Sequence, residues 1–332
     1  MSKPRIAING MGRIGRLVLK LLIENDEVEV VAINDLAPNE SLLYLIKYDT
    51  VQKHQPKSIF CDGEYIVING KRVHSTSIAN PLELPWKENN IDIVVECTGI
   101  FRKKDKLALH LQAGAKKVVL SSPADGDVKT IVLGVNDHLF SSADTILSNA
   151  SCTTNCLAPM VKVMNAHFGI EQAIMSTIHA YTGDQNLHDA IHKSDMRRAR
   201  AAAENLVPTT SNATSTVEVV MPEMKGKLTG GAVRVPVIAG SITELYCNIQ
   251  KTATVEQINQ AFLAASEGDL KGILAYNTDP IVSSDIIHNP HSCIFDADLT
   301  LVLGKMVKIT GWYDNEYGYA NRLCDLVLKM GQ

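Results

Sequence analysis

The sequence predicts an α/β domain built on a mostly parallel sheet, followed by an α+β domain with a mainly antiparallel sheet. Three observations carry this. The first 150 residues alternate short apolar runs with helical patterns, the rhythm of a sheet covered on both faces. A glycine-rich turn joins the first apolar run to the first helix. Beyond residue 150 the apolar runs lengthen and alternate with polar residues, as half-buried strands do.

Arg5-Ile6-Ala7-Ile8-Asn9 reads as the first strand and runs into Gly10-Met11-Gly12-Arg13-Ile14-Gly15. Ile14, Leu17, Val18, Leu21 and Leu22 mark one face of the helix behind it. Val28 to Asn34 reads as a second, buried strand ending at Asp35, 20 residues after Gly15. Glycines between a strand and a helix, with an acid at that distance, form the dinucleotide-binding fingerprint of a Rossmann-type domain. The glycines allow close backbone approach to a pyrophosphate seated on the helix N-terminus. Asp35 would accept hydrogen bonds from the adenosine ribose and repel a 2′-phosphate, which favours NAD over NADP. A glycine turn in some other α/β unit is the alternative.

Ile91 to Glu96, Lys117 to Leu120, Ile131-Val132-Leu133 and Ile146-Leu147 read as further strands, with a helix over Asp105 to Gln112. Ligands in such sheets bind beyond the carboxyl ends of strands. Thr98, Gly99 and Ser121 stand there and are cofactor-crevice candidates; each could also be an ordinary turn residue. Residues 50 to 90 read as irregular, with hairpin turns at Asp62-Gly63 and Asn69-Gly70.

The domain boundary falls near 150, at Ser148-Asn149-Ala150-Ser151-Cys152-Thr153-Thr154-Asn155-Cys156. Leu157, Met160, Val161 and Met164 follow at helical spacing, so the Ser/Thr/Asn cluster reads as a helix start, with Pro159 expected to kink the run. A thiol at that start meets unpaired N–H groups and the positive end of the helix dipole, which favour thiolate. A small buried cysteine is the alternative.

Strands over Ala173 to Ala180, Ala232 to Pro236, Ser241 to Ile249 and Met306 to Tyr313 follow, with helices marked by Val255, Ile258 and Phe262 and by Leu323, Leu326, Val327 and Met330. His179 closes the first of these strands, and by itself reads equally as a structural histidine. Arg234, flanked by Val233 and Val235, needs an anion or an internal carboxylate. Arg197, Arg198 and Arg200 read by default as a solvated helix face. Asn315 offers an amide with both donor and acceptor, inside Trp312-Tyr313-Asp314-Asn315-Glu316-Tyr317-Gly318-Tyr319.

Composition narrows the class. Of 332 residues, 45% are hydrophobic and 20% charged, with a net charge of −4, so no global field draws the chain to nucleic acid or anionic membrane. No apolar run approaches the roughly 20 residues that span a bilayer. Met1-Ser2-Lys3-Pro4 has no signal-peptide architecture. Seven cysteines are scattered without a Cys-x-x-Cys pair, which argues against structural zinc and a disulfide framework and for a reducing, cytoplasmic setting.

S-N-A-S-C-T-T-N-C, T-I-H-A-Y-T-G-D-Q, R-R-A-R-A-A-A, K-L-T-G, the N-G-x-G-R-I-G-R start and the W-Y-D-N-E tail occur here in one order. Together they resemble the phosphorylating glyceraldehyde-3-phosphate dehydrogenases of bacterial type, over essentially the whole chain. The resemblance implies an NAD-binding domain over 1–150, a catalytic domain over 151–317 and a final helix, about 318–332, packed back on the first domain. It implies that Cys152 is the nucleophile and His179 its base, and that a phosphorylated aldehyde is oxidised and then captured by inorganic phosphate. Ser151, Thr153, Thr182 and Arg234 would hold the two phosphates, with Asp184, Arg197, Arg198, Ser211 and Asn212 around them. Gly10, Gly12, Arg13, Ile14, Gly15, Asp35, Thr98, Gly99 and Ser121 would hold the cofactor, with Asn315 on its carboxamide and Tyr319 near its ring. A homotetramer is implied, and no metal.

Four stretches depart from that pattern. Ser211-Asn212 replaces Thr-Gly in the phosphate loop. Val237-Ile238-Ala239-Gly240 replaces T-P-N-V. Lys53-His54-Gln55 replaces the usual H-G. Ala190-Ile191 follows Asp189 where strictly NAD-using relatives carry Leu-Pro, so some NADP use is expected beside NAD. Erythrose-4-phosphate dehydrogenase and a catalytically silent redox-sensing homologue are the rival readings.

Overall fold

The computed structural model describes residues 3–53 and 55–332; Met1, Ser2 and His54, and with them the departure at His54, lie outside the described residues. The chain divides into two compact units, Met1–Ile131 with Leu139–Ala150 and Ala320–Gln332, and Val132–His138 with Ser151–Tyr319.

The first unit contains β1 (Arg5–Asn9), α1 (Arg13–Glu24), β2 (Glu29–Asn34), α2 (Asn39–Lys47), β3 (Ile59–Asp62), β4 (Tyr65–Ile68), β5 (Lys71–Thr76), β6 (Ile93–Glu96), α3 (Lys104–Gln112), β7 (Lys117–Leu120) and β8 (Ile146–Ser148). Its sheet runs β3-β4-β5-β2-β1-β6-β7-β8. The pairs from β5 to β8 are parallel. β3, β4 and β5 form an antiparallel meander at one edge.

That meander corrects the expectation of irregular chain over 50–90. Its turns stand where the dipeptides place them: Asn69 and Gly70 have φ of 51° and 81°, the two positive values a type I′ hairpin needs. The alternation in these strands is too short to rise above the surrounding polar chain. Ile131-Val132-Leu133 is not a strand. Thr130 makes one parallel bridge to Ser148, and the chain then turns, with Val132 N–H donating to Asn136 Oδ1 at 2.8 Å and Val135 N–H to the Val132 carbonyl. Local hydrogen bonds satisfy this backbone, so a buried apolar run needs no ladder here.

The second unit begins with α4 (Cys152–Phe168) and β9 (Ile170–Ala180). It continues through β10 (Val207–Thr209), α5 (Ala213–Val220), β11 (Leu228–Val235), β12 (Ser241–Ile249), α6 (Val255–Glu267), β13 (Leu274–Asn277), β14 (Cys293–Asp296), β15 (Leu301–Leu303) and β16 (Met306–Tyr313). The sheet order is β10-β11-β9-β12-β16-β14-β13, with β15 on β16. Two pairs, β11 with β9 and β13 with β14, are parallel and the rest antiparallel. Along β9, Ala173, Met175, Thr177 and His179 are buried whereas Ile174 is exposed, the period-two pattern of a sheet with one packed face. α4 covers that packed face; it continues past Pro159 to Phe168.

α7 (Tyr317–Gly331) closes the chain. Leu323, Leu326, Val327 and Met330 are all buried, and Lys117 Nζ donates to the Met330 carbonyl at 2.7 Å. No helix among the described residues is long and apolar enough to cross a membrane.

Candidate active site

Cys152 is the first residue of α4. Ser151 caps the helix, its Oγ accepting from Thr154 N–H at 3.1 Å. Ala150, just before the cap, holds φ at +58°, a left-handed conformation that costs an alanine about 1 kcal/mol. The strand-to-helix turn therefore carries local strain where the thiol is presented.

Cys152 Sγ lies 3.5 Å from His179 Nε2 and 4.0 Å from Thr153 Oγ1. His179 reaches it from the end of β9. Arg234 stands beside His179 because β11 runs parallel to β9 in a register that pairs the two residues. His179 Nδ1 is 2.6 Å from the Ala180 carbonyl oxygen and 2.6 Å from Arg234 Nη1. A carbonyl only accepts and a guanidinium only donates, so one nitrogen cannot satisfy both. With Nδ1–H donating to Ala180, Nε2 turns its lone pair to the thiol. Arg234 Nη1 then donates to the same carbonyl, 3.2 Å away. This tautomer, assigned from its neighbours, makes His179 a base toward sulfur.

The electrostatics correct one expectation. Burial pushes the Cys152 thiol above its ordinary value. The Arg234 charge, the Thr153 hydroxyl and the N–H groups of Thr153 and Cys152 pull the other way without reversing it. The helix start does favour thiolate, as its N–H groups dictate, but desolvation is larger. His179 is pushed down to about 3, by burial first and by Arg234 second. The resting pair is a neutral thiol beside a neutral imidazole.

Behind the pair lies a chain of hydroxyls. Thr153 Oγ1 is 3.0 Å from Tyr313 OH, which is 2.8 Å from Thr177 Oγ1. The Tyr313 ring packs edge-on against His179 at 5.8 Å. Tyr313 is fully buried, so this chain fixes the imidazole and the first turn of α4 together.

Arg198, not Arg197, faces inward among the neighbouring arginines. Its Nη1 meets Asp184 Oδ2 at 2.5 Å and its Nε donates to Thr209 Oγ1 at 2.9 Å. Thr182 donates its hydroxyl to Asp184 as well. Burial pushes the Asp184 carboxyl up, but the Thr182 hydroxyl, Arg234 and Arg198 together hold it below its ordinary value. Arg197 is exposed, and Arg200 pairs with Asp189 at 2.9 Å. These arginines stand on turns, not on the expected helix. Arg234 has no carboxylate partner among the described ion pairs, and its buried Nε has no hydrogen-bond partner.

Two departures acquire a physical reading. Asn212 has φ of −88° and stands at the N-cap position of α5 without a side-chain cap bond, a backbone that needs no glycine, while Ser211 Oγ accepts from Ala213 N–H at 3.2 Å. Gly240 has φ of +87°, and an added Cβ would sit 2.3 Å from the Ser283 carbonyl. Its N–H and the Ser241 hydroxyl both donate to Asn315 Oδ1 at 3.1 Å. The amide oxygen of Asn315 is thereby engaged, leaving its NH₂ to donate.

In the first unit a cavity of about 320 Å³ is lined by Asn9, Gly10, Gly12, Asn34, Asp35, Leu36, Ile78, Ala79, Cys97, Thr98, Ile100 and Phe101. Gly10 has φ of +92°, and a Cβ on it would lie 2.7 Å from Thr98 N; on Gly15 it would lie 2.0 Å from the Gly10 carbonyl. Around Gly12 nothing stands within 4 Å. α1 starts without a side-chain cap. Asp35 accepts from Met11 N–H at 2.7 Å and Ala37 N–H at 2.9 Å, which locks the glycine turn to the end of β2. A tight turn, an uncapped helix start and a carboxylate bonded to that turn fit a dinucleotide.

A description of the glyceraldehyde 3-phosphate dehydrogenase C-terminal domain matches residues 151–315, and one of the NAD binding domain matches residues 4–104. Full-length relatives agree. The glyceraldehyde-3-phosphate dehydrogenases of Mycolicibacterium smegmatis and Mycobacterium avium are 49% and 50% identical to it, each over 99% of this chain and 98% of the relative. Glyceraldehyde-3-phosphate dehydrogenase 2 of Streptomyces avermitilis is 48% identical over 98% of both. The chain belongs to the glyceraldehyde 3-phosphate dehydrogenase family.

For a glyceraldehyde 3-phosphate dehydrogenase the two-domain α/β plus α+β architecture and NAD as cofactor follow from these matches. Among the residues singled out for the cofactor, Gly10, Gly12, Asp35 and Thr98 line the cavity, and Gly15 is buried behind it. Gly99 stands exposed beyond Thr98 with φ of +71°. Arg13 turns its guanidinium to Asp49 at 2.9 Å, Ile14 is half-buried, and Ser121 N–H donates to the Glu96 carbonyl. Asn315 and Tyr319 belong to the second unit, both buried. Sequence reasoning missed Tyr313 and Thr177, whose hydroxyls stand behind the Cys152–His179 pair; a tyrosine and a threonine inside strands carry no local signal for that. No group of metal-ligating side chains occurs among the described residues.

Proposed function

We propose that this chain oxidises D-glyceraldehyde 3-phosphate with NAD and inorganic phosphate to 1,3-bisphosphoglycerate, through an acyl thioester on Cys152. The observation that carries the reading is the Cys152 Sγ to His179 Nε2 approach of 3.5 Å with Arg234 alongside.

The residues act in order. Cys152 adds to the aldehyde carbon while its proton passes to His179 Nε2 and from there to the alkoxide oxygen, giving a hemithioacetal and leaving His179 neutral again. Because the resting pair is neutral, the sulfur is charged only as it attacks, and His179 must gain a proton beside Arg234. An anion on Arg234 offsets that like charge and makes the imidazole a better base. The substrate's own phosphate, or the attacking one, supplies such an anion. NAD, when bound, accepts the hydride that leaves the carbon held by sulfur. His179 takes the hydroxyl proton as that carbon becomes a thioester. Phosphate then attacks the acyl carbon, the C–S bond breaks, and Cys152 leaves as thiolate to be reprotonated. Asn315, with its oxygen engaged by Gly240 and Ser241, would donate its NH₂ to a carboxamide oxygen. Ser151, Thr153, Thr182, Arg198 and Arg234 are the phosphate-facing set, with Asp184 orienting Arg198, and Ser211 and Asn212 shaping the neighbouring loop. Tyr319 is read as packing near the nicotinamide.

The deciding assay compares kcat/KM for glyceraldehyde 3-phosphate and erythrose 4-phosphate, with and without phosphate. Turnover of the triose phosphate should depend on added phosphate, and Arg234→Leu should lower its kcat/KM by about tenfold to a hundredfold. Unphosphorylated glyceraldehyde should lose much less. Turnover indifferent to phosphate would overturn the acyl-phosphate step. The Asp35 carboxylate opposes a 2′-phosphate, so NAD should be preferred and NADP used weakly.

A homotetramer is the assembly we favour. The outer face of the second sheet exposes Ile174 and Tyr246, paired across β9 and β12, with Leu301, Leu303 and Met306 near them. An exposed apolar sheet face calls for a covering surface, and a second copy of the chain provides one. Sedimentation as a monomer would refute this. A reducing, cytoplasmic setting is the one we favour, from seven scattered cysteines with no Cys-x-x-Cys pair, and neither nucleic acid nor membrane is expected as a partner.

A further inference from the structure

Glu96, at the end of β6, is fully buried and pairs with no lysine or arginine among the described residues. Its two oxygens are met by four donors. Asn9 Nδ2 donates to Oε2 at 2.6 Å, and Thr98 donates its N–H to Oε1 at 2.7 Å and its hydroxyl to the same atom. The fourth is His110 Nε2, 3.1 Å from Oε2. Its role follows from the next residue in line. Trp86 Nε1 is 3.0 Å from His110 Nδ1, and an indole N–H can only donate. His110 Nδ1 must therefore accept, so a neutral His110 carries its proton on Nε2 and donates to Glu96. Trp86 and His110 are both fully buried, so water does not compete for these bonds.

The carboxylate reaches both walls of the cavity that holds the glycine turn. On one side it fixes Thr98, whose Oγ1 accepts from Ile100 N–H at 3.1 Å; Gly10 is pressed against that same Thr98 peptide. On the other side it fixes Asn9, whose Oδ1 accepts from Asn34 Nδ2 at 2.8 Å. Asn34 Oδ1 in turn holds Ile78 N–H at 2.9 Å and the Thr76 hydroxyl at 2.8 Å. Asn9, Asn34, Ile78, Thr98 and Ile100 all line the cavity.

We propose that Glu96, clamped by the buried His110–Trp86 pair, is a positioning residue for the dinucleotide: it sets the gap between the Thr98 turn and the Gly10 turn without touching the ligand. The inference rests on this cavity being the NAD site. A carboxylate is the group the site needs because it accepts on both oxygens. An amide of the same shape presents an NH₂ to donors already aimed at it.

The test measures NAD affinity of the full-length protein by calorimetric titration, with steady-state kinetics alongside. Glu96→Gln should weaken NAD binding by about tenfold or more. KM for NAD should rise in step, with little change in the rate at which iodoacetamide alkylates Cys152 without NAD. Thr98→Val should weaken binding similarly and Thr98→Ser should restore it. In the double variant the two losses should fall well short of multiplying, since they break one link. Unchanged affinity in Glu96→Gln, or losses that multiply in full, overturns the proposal. Should Glu96→Gln fail to fold, the valine and serine variants decide it, equal affinities overturning it. If the native protein does not bind NAD, the cofactor reading of the family falls first, an outcome distinct from the other two.

Discussion

Cys152→Ser is expected to lower kcat by about ten-thousandfold or more while the protein keeps its fold. The oxygen is smaller than the sulfur and fits the same slot at the head of α4, so no overpacking arises. The loss is chemical. A hydroxyl is far harder to deprotonate than a thiol, and His179 at 3.5 Å is already held neutral by burial and by Arg234. It is too weak a base to pull that proton. An oxygen ester also carries less acyl-transfer potential than a thioester, so capture by phosphate slows as well. Steady-state kinetics with circular dichroism checks this. Activity within tenfold of native would exclude covalent catalysis at this position.

His179→Asn is the second large effect, with kcat falling about a hundredfold to ten-thousandfold. The structure also fixes a pH signature. The imidazole titrates at about 3 in the folded protein and near about 6.5 in the unfolded chain. Between these values the unfolded chain binds the extra proton. Stability from this residue is thus fully present above pH 6.5 and is lost as pH falls toward 3, at about 1.4 kcal/mol per pH unit. Urea unfolding of the asparagine variant should show a shallower acid decline than the native protein. Parallel declines would mean that His179 is not held neutral in the fold.

Much of this was legible in the residues. Gly10 to Gly15 between β1 and α1, with Asp35 closing β2, announces the dinucleotide turn, because positive φ at Gly10 and close approach at Gly10 and Gly15 leave those two positions no substitute. The cap at Ser151 places Cys152 at a helix start by hydroxyl chemistry alone. What could not be read is whatever depends on register or burial. Cys152 and His179 meet because α4 lies across β9, and Arg234 joins them through the parallel register of β11, which no local pattern encodes. Tyr313 reaches Thr153 from 160 residues away. The charge state of the thiol turns on desolvation, which opposes the helix-start effect and exceeds it. Glu96 looked like the last residue of a strand; its four donors come from β1, α3 and its own turn. The meander over β3 to β5 was hidden because polar residues break its pattern: β5, Lys71–Thr76, has Val73 as its one aliphatic residue.

The most direct measurement mixes enzyme, NAD and glyceraldehyde 3-phosphate without inorganic phosphate, quenches in acid and maps the peptides by mass spectrometry. A thioester is predicted, seen as the mass of a 3-phosphoglyceroyl group on the peptide containing Cys152, formed with one NADH per modified site and discharged when phosphate is added before the quench. NADH formed at that stoichiometry with Cys152 unmodified, or the acyl group found on Cys156 or Cys293 instead, would contradict the account.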